Sequence, residues 1–490
     1  MVGNDKKIGD LATRRRRRLW ISVVAAFAVI ALLAGAVLLV VRPWTPEFRH
    51  GGLTIAESPA PVRAFPRLLP ADGTAAPSPA AVAAALAGPI TNPDLGDFSG
   101  VVTDAETGTT LWSSDAEEPR IPSSTNKVLT TAAALLALPA DQRVVTKVVA
   151  GTAPNELVFV GGGDPTLTAQ PDGKGYYPHS ARLSDLVGQI RASGRVVDTI
   201  VVDTSLFTGP TMARGWEDID VPEGSIAPIE SVMIDGGRSE ALVEYSPRTA
   251  TPALDAGRTL ATALGLDPNL VRPGVADPAA AEVASVRSAP LRDRLHAMML
   301  HSDNVLAETV GREIALATGH EPSFDGAATA VRATLEEAGF DLTGVVLHDS
   351  SGLSTDDRLP ARLLDDILSA AARAGGEIPA SDEDTADTVG AGVTAGANEH
   401  AELTPLLDAL PIAGATGSLD SRYVQQNREG AGWVRAKTGT LTVASTLAGY
   451  VLDRDGRVLT FALMSNDRPP EVSRPALDAI ARTLRNCGCS

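Results

Sequence analysis

The sequence predicts an α/β chain of the α+β kind, an antiparallel sheet flanked by helices with a further α+β module inserted within it. Three observations carry that expectation. A hairpin signal spans Phe98 to Ser113, and a β-meander runs from Trp433 to Met464 near the other end of the chain. An alanine- and leucine-rich helical run, Val128 to Leu138, follows the hairpin. From about Val144 to Val286 the text changes to short apolar runs broken by turns, such as Leu157 to Val160 before Gly161-Gly162-Gly163-Asp164-Pro165.

In chain order, residues 1–18 form a basic tail with Lys6, Lys7 and the run Arg14 to Arg18. Residues 19–41 are uncharged and apolar, long enough to cross a bilayer. Basic residues stay on the cytoplasmic side, so the expectation is a single-pass cell-membrane protein with its catalytic part extracytoplasmic. The apolar stretch exceeds a signal-peptide core and ends Leu39-Val40-Val41-Arg42, so an uncleaved signal anchor is expected. Residues 42–77 are rich in proline and alanine and read as a linker.

Residues 78–144 make the first part of a catalytic domain, opening with a helix near Ala80 to Gly88. Its strands Phe98 to Asp104 and Thr109 to Ser113 are joined by Ala105-Glu106-Thr107-Gly108. Residues 145–286 are the inserted domain, and 287–490 the second catalytic part. There, helices are expected at Leu291 to Leu300 and Val305 to Ala317, with a polar break between them. An acidic low-complexity stretch, Gly375 to His400, precedes the meander strands Trp433 to Lys437, Ser445 to Leu452 and Val458 to Met464. A last helix covers Arg474 to Leu484, and the closing Cys487-Gly488-Cys489 reads as a dispensable tail.

Composition excludes several classes. The 490-residue chain carries a net charge of −18 although its first residues are basic, so nucleic acid is a poor partner. Two cysteines without a nearby histidine make a poor zinc site, and Asp203, Asp218 and Asp220 fit no calcium loop. Neither a metal nor a cofactor is expected. Gly161-Gly162-Gly163 lacks the Gly-Lys-Ser/Thr ending of a phosphate loop.

Lysine usage is more telling. Only six of the 42 basic residues are lysine, yet two sit in Ser124-Thr125-Asn126-Lys127 and Lys437-Thr438-Gly439-Thr440. Arginine keeps its proton in proteins, whereas a desolvated lysine can act as a base. Ser-x-x-Lys at a helix start brings amine and hydroxyl onto one face. Lys-Thr-Gly on a strand edge offers a cation and a hydroxyl to a carboxylate, and its glycine is expected to let a substrate backbone lie close. Between them stands Ser302-Asp303-Asn304, in the interhelical break. Each motif alone is weak; the ordered set of three, in these contexts, is specific. No Gly-x-Ser-x-Gly elbow occurs, and none of the seven histidines lies in these motifs, though His301 adjoins one.

In these motifs the chain resembles a D-alanyl-D-alanine carboxypeptidase/endopeptidase of the class C, type-4 penicillin-binding protein family. Further similar segments are Val102 to Gly108, Gly163-Asp164-Pro165-Thr166-Leu167, Ala227-Pro228-Ile229-Glu230-Ser231, Asp349-Ser350-Ser351-Gly352-Leu353-Ser354 and Gly417-Ser418-Leu419. The resemblance covers roughly Ala80 to the C-terminus. It implies the penicillin-binding protein/β-lactamase-like transpeptidase fold, peptidoglycan stem peptides ending in D-Ala-D-Ala as substrate, and β-lactams as covalent inhibitors.

Site roles follow from the same resemblance. Ser124 would be the acylated nucleophile and Lys127 its general base, while Ser302 would relay a proton to the leaving amine. Asn304 would hold the peptide amide, Lys437 raise the local positive potential, and Thr438 and Thr440, beside Gly439, bind the terminal carboxylate. The N–H groups of Ser124 and Thr440 would form the oxyanion hole. The Ser124 to Ser302 separation is short for this family, so a domain nested in the insert of longer members is expected to be missing. A β-lactamase would share the motifs, but the Glu-x-x-Leu-Asn pattern of class A enzymes is absent. A catalytically idle, membrane-tethered binding protein is the remaining alternative, and three intact motifs argue against it.

Overall fold

The computed structural model describes residues 75–374 and 400–489, together with seven helical positions between Trp20 and Val40. Almost all of the expected linker, and the acidic stretch apart from His400, lie outside the described residues. The chain divides into two units, Met1–Phe65 and Pro66–Ser490. In the first, Trp20, Val29, Leu32, Leu33, Val37 and Val40 expose apolar side chains. Among the described residues no helix is long and apolar enough to cross a membrane.

In the second unit, Ser78 Oγ accepts from Ala81 N to start α1 (Pro79–Leu86). Strands β1 (Asp97–Asp104) and β2 (Thr109–Ser114) form the anticipated hairpin. Asp104 holds its turn by accepting from Glu106 N and Thr107 Oγ1. Helix α2 (Asn126–Ala137) begins directly after the 3₁₀ turn Ser123–Thr125 that carries Ser124.

The segment after α2 builds a sheet of its own. It contains β3 (Val145–Ala150), β4 (Glu156–Val160), α3 (Leu183–Ala192), β5 (Thr199–Asp203), α4 (Pro252–Leu264), β6 (Arg272–Pro273) and β7 (Glu282–Arg287). The strand order is β6-β5-β4-β3-β7, with parallel pairing of β4, β5 and β6 and antiparallel pairing around β3. Leu186, Ile190 and Leu260 from its two helices pack on Val148, Phe159 and Val202, an apolar core separate from the main one.

The chain returns through α5 (Leu291–His301), α6 (Asn304–Ala317), α7 (Phe324–Glu337), α8 (Ala361–Ala374) and the short α9 (Thr404–Asp408). Strands β8 (Val434–Leu441), β9 (Ala444–Leu452) and β10 (Val458–Asn466) and helix α10 (Pro470–Asn486) complete it. The main sheet is antiparallel throughout, ordered β2-β1-β10-β9-β8. Alternation explains how it is buried twice. Leu459, Phe461 and Leu463 pack toward α1 and α10, whereas Val458, Ala462 and Met464 pack toward α2 and α8. A side chain of this size contributes about 1.5–3 kcal/mol when fully buried.

The C-terminal tail departs from expectation. Cys487 and Cys489 form a disulfide, both are buried in the α1/α10 core, and Ser78 N donates to the Cys489 carbonyl at 2.8 Å. Rather than trailing, the tail seals the edge of the core beneath α1.

Candidate active site

Three segments far apart in sequence meet at one end of the main sheet, around a cleft of about 640 Å³. Ser124, Ser302, Asn304, Thr438 and Thr440 line it, while Lys127 and Lys437 are fully buried in its floor. Gly439 lies between the two threonines on β8. The motifs singled out in the sequence therefore converge.

Strand β8 is an edge of the main sheet. Pro411 and Ala413 bond to its first half, at Ala436 N and Val434 O, while Thr438, Thr440 and Leu441 of its second half line the cleft. Gly439 has a packing purpose of its own. A Cβ there would come within 2.0 Å of Thr446 Oγ1 and 2.8 Å of both the Pro122 carbonyl and Ser123 Cβ. Its bareness lets the strand press against the Ser123–Thr125 turn, which brings nucleophile and strand together. Gly352 closes the other side of the same turn: at φ +77°, its missing side chain would collide with the Ser123 carbonyl at 1.9 Å.

The Lys127 amine has three neighbours. Its Nζ lies 3.0 Å from Ser124 Oγ, 2.6 Å from Asn304 Oδ1 and 2.7 Å from the Ser351 carbonyl. A neutral amine has two N–H groups and one lone pair. Donation to Asn304 and Ser351 leaves the lone pair for the Ser124 hydroxyl. Burial pushes Lys127 down to about 8, against the carboxylates Asp349, Glu308 and Asp303, which pull it back up. Burial is thus the cause of the depression.

Lys437 Nζ donates to Ser302 Oγ at 2.8 Å and to the Thr438 carbonyl at 2.8 Å. Burial and the neighbouring Lys127 hold it well below the usual lysine range. An anion in the cleft would favour the charged form of Lys437 and with it the positive potential expected from the sequence. Thr438 Oγ1 is 2.6 Å from Ser418 Oγ, which fixes its hydroxyl.

Asn304 is the first residue of α6, not part of the break. Its Oδ1 faces Lys127 and its Nδ2 donates to the Ser225 carbonyl at 2.9 Å. Ser302 caps α5 in the left-handed conformation (φ 55°), and Ser123 shares that conformation (φ 48°). Such non-glycine backbones cost on the order of 1–3 kcal/mol and persist where surroundings hold them. His301 packs its ring 5.1 Å from that of Tyr176.

Several contributors carried no assigned role in the sequence. Asp349 organises the turn that offers the Ser351 carbonyl to Lys127, accepting from the N–H groups of Ser351, Gly352 and Ser354 and from Trp216 Nε1. Glu308, one turn beyond Asn304, accepts from Ser350 N, and burial pushes it up to about 8. The segments Asp349 to Ser354 and Gly417 to Leu419 were visible as family-like text, and that was the available signal. Asp203 and Asp220 have structural tasks: Asp203 accepts from Ser205 N and Ala276 N, and Asp220, in a 3₁₀ turn, accepts from Glu217 N, the residue that caps it.

The D-Ala-D-Ala carboxypeptidase 3 (S13) family matches residues 82–249, 238–383 and 378–487. The chain belongs to that family. The carboxypeptidase is 46% identical over 488 residues to carboxypeptidase DacB of Mycolicibacterium smegmatis, covering 97% of this chain and 99% of that one. It is likewise 46% identical to a carboxypeptidase of Mycobacterium tuberculosis, covering 96% of this chain and 97% of the relative. Penicillin-binding protein 4 of Haemophilus influenzae superposes with a TM-score of 0.64 at 20% identity, covering 82% of this chain and 98% of that one. The fold is thus the penicillin-binding one, and the chain is a serine-type D-Ala-D-Ala carboxypeptidase, a hydrolase acting on peptidoglycan.

Proposed function

We propose that Ser124 is the residue acylated by the penultimate D-alanyl group and that Lys127 is its base. The observation that carries this is the Lys127 amine, fully buried, 3.0 Å from Ser124 Oγ, with its other contacts satisfied by Asn304 and Ser351. Neutral Lys127 takes the Ser124 proton as Oγ attacks the carbonyl carbon. The N–H groups of Ser124 and Thr440 receive the oxyanion, each such donor stabilising the transition state by about 3 kcal/mol. Ser302, held by Lys437, relays the proton taken up by Lys127 to the leaving amine, so that Lys127 is neutral again as D-alanine departs. Water then hydrolyses the ester.

Thr438 and Thr440 hold the terminal carboxylate, with Lys437 beneath them. Asn304 meets the substrate amide by exchanging its bond to the Ser225 carbonyl. β-Lactams acylate the same serine. The full chain is anchored by residues 19–41 with residues 78–490 extracytoplasmic, a reading supported by the flanking basic tail and the exposed apolar side chains between Trp20 and Val40.

Digestion of purified monomeric pentapeptide and cross-linked muropeptides, with products identified by mass spectrometry, tests the substrate. Loss of one terminal D-alanine from the monomer is expected, and cleavage of the cross-link would add endopeptidase activity. Release from neither substrate would overturn the reading, as would fast multiple turnover of a chromogenic cephalosporin.

A further inference from the structure

The inserted segment reaches into the site in a way the three motifs do not account for. Asp303 stands between Ser302 and Asn304, and its side chain is 2% exposed. Its Oδ2 accepts from Tyr177 OH at 2.7 Å and from Arg238 Nη2 at 2.9 Å, while its Oδ1 caps α6 at Leu306 N, 2.9 Å away. Arg238 Nη1 also donates to Tyr177 OH at 2.7 Å. The guanidinium, 1% exposed, lies over the Tyr176 ring, 4.1 Å from its centroid.

Tyr176, Tyr177 and Arg238 all come from the segment between the Ser124 and Ser302 motifs, as does Ser225, whose carbonyl holds Asn304. The same segment thus contacts His301, Asp303 and Asn304, on both sides of Ser302 in the chain. Ser302 itself is in a left-handed conformation that needs such support. A planar guanidinium that donates one N–H to the Asp303 carboxylate and another to the Tyr177 hydroxyl, which itself donates to that carboxylate, is a directional clamp rather than a mere counter-charge.

We infer that Arg238, backed by Tyr176 and Tyr177, is a positioning residue that clamps Asp303 and thereby sets Ser302 against Lys437 and Asn304 against Lys127. The inserted segment is then part of the reaction machinery as well as a neighbouring module. This rests on the acylation reading above, because Ser302 and Asn304 matter only if Ser124 is acylated.

The test is the kinetics of acylation by a fluorescent penicillin, on the full chain, with the adduct located by peptide mass mapping. Arg238→Met is expected to lower the maximal acylation rate at least 100-fold and to change the half-saturating concentration less than threefold, with the adduct still on Ser124. Because Arg238 acts through Asp303, Arg238→Met introduced into an Asp303→Asn background is expected to slow acylation less than threefold further. Acylation of Arg238→Met within threefold of wild type, or a full 100-fold further loss in the Asp303→Asn background, would overturn the clamp. If Arg238→Met does not fold, Tyr177→Phe carries the test: an approximately tenfold slower maximal rate is expected, and an unchanged rate overturns the clamp. Absence of any Ser124 adduct in wild type would instead overturn the acylation reading.

Discussion

Lys127 decides whether the cleft can start a reaction, because only its neutral form can take the Ser124 proton. With its pKa lowered to about 8, most of the amine is protonated at pH 7 and the base form grows as pH rises. The acylation rate should therefore climb about tenfold per pH unit below about 8 and level off above it. A flat profile between pH 6 and 9, from stopped-flow penicillin acylation, would contradict a lysine base. Lys127→Arg should abolish acylation, since a guanidinium keeps its proton. The scarcity of lysine made this residue legible in the sequence. The Ser351 carbonyl was not, because a backbone acceptor leaves no side-chain signature; only the turn built by Asp349 reveals it.

At the level of elements, the site depends on two backbones approaching without side chains between them. Gly439→Ala would place a methyl group against Thr446 Oγ1, Pro122 and Ser123, two of which belong to the segment carrying the nucleophile. The expected outcome is a loss of about 1–3 kcal/mol of stability with slower Ser124 acylation. Unchanged thermal unfolding together with unchanged acylation would show that β8 tolerates a wider spacing. Strand and helix positions were largely readable: the meander, the hairpin and the helices around Ser302 follow from period and turn chemistry. The break at residue 304 was misplaced because Asp303, not Asn304, caps α6. The packing purpose of Gly439 was not legible, since sequence shows that a glycine is present but not which neighbour approaches it. The parallel pairing of β4, β5 and β6 rests on long-range contacts that local pattern does not encode.

For the whole molecule, the main sheet supplies β8, the helical layer supplies α2 and the α5–α6 corner, and the inserted segment supports that corner from outside. The tail, which sequence reduced to two cysteines and no framework, joins α1 and α10 in one core because Cys489 receives Ser78 and both cysteines are buried. Removing residues 1–41 should move the protein from the membrane to the soluble fraction and leave acylation unchanged; equal membrane retention after that deletion would contradict the anchor. The most direct test of the central claim is the mass of the intact full chain after exposure to penicillin, followed by peptide mapping. A single covalent adduct on Ser124, lost in Ser124→Ala, is the predicted result. No adduct on the wild-type chain, or an adduct that persists in Ser124→Ala, would contradict it.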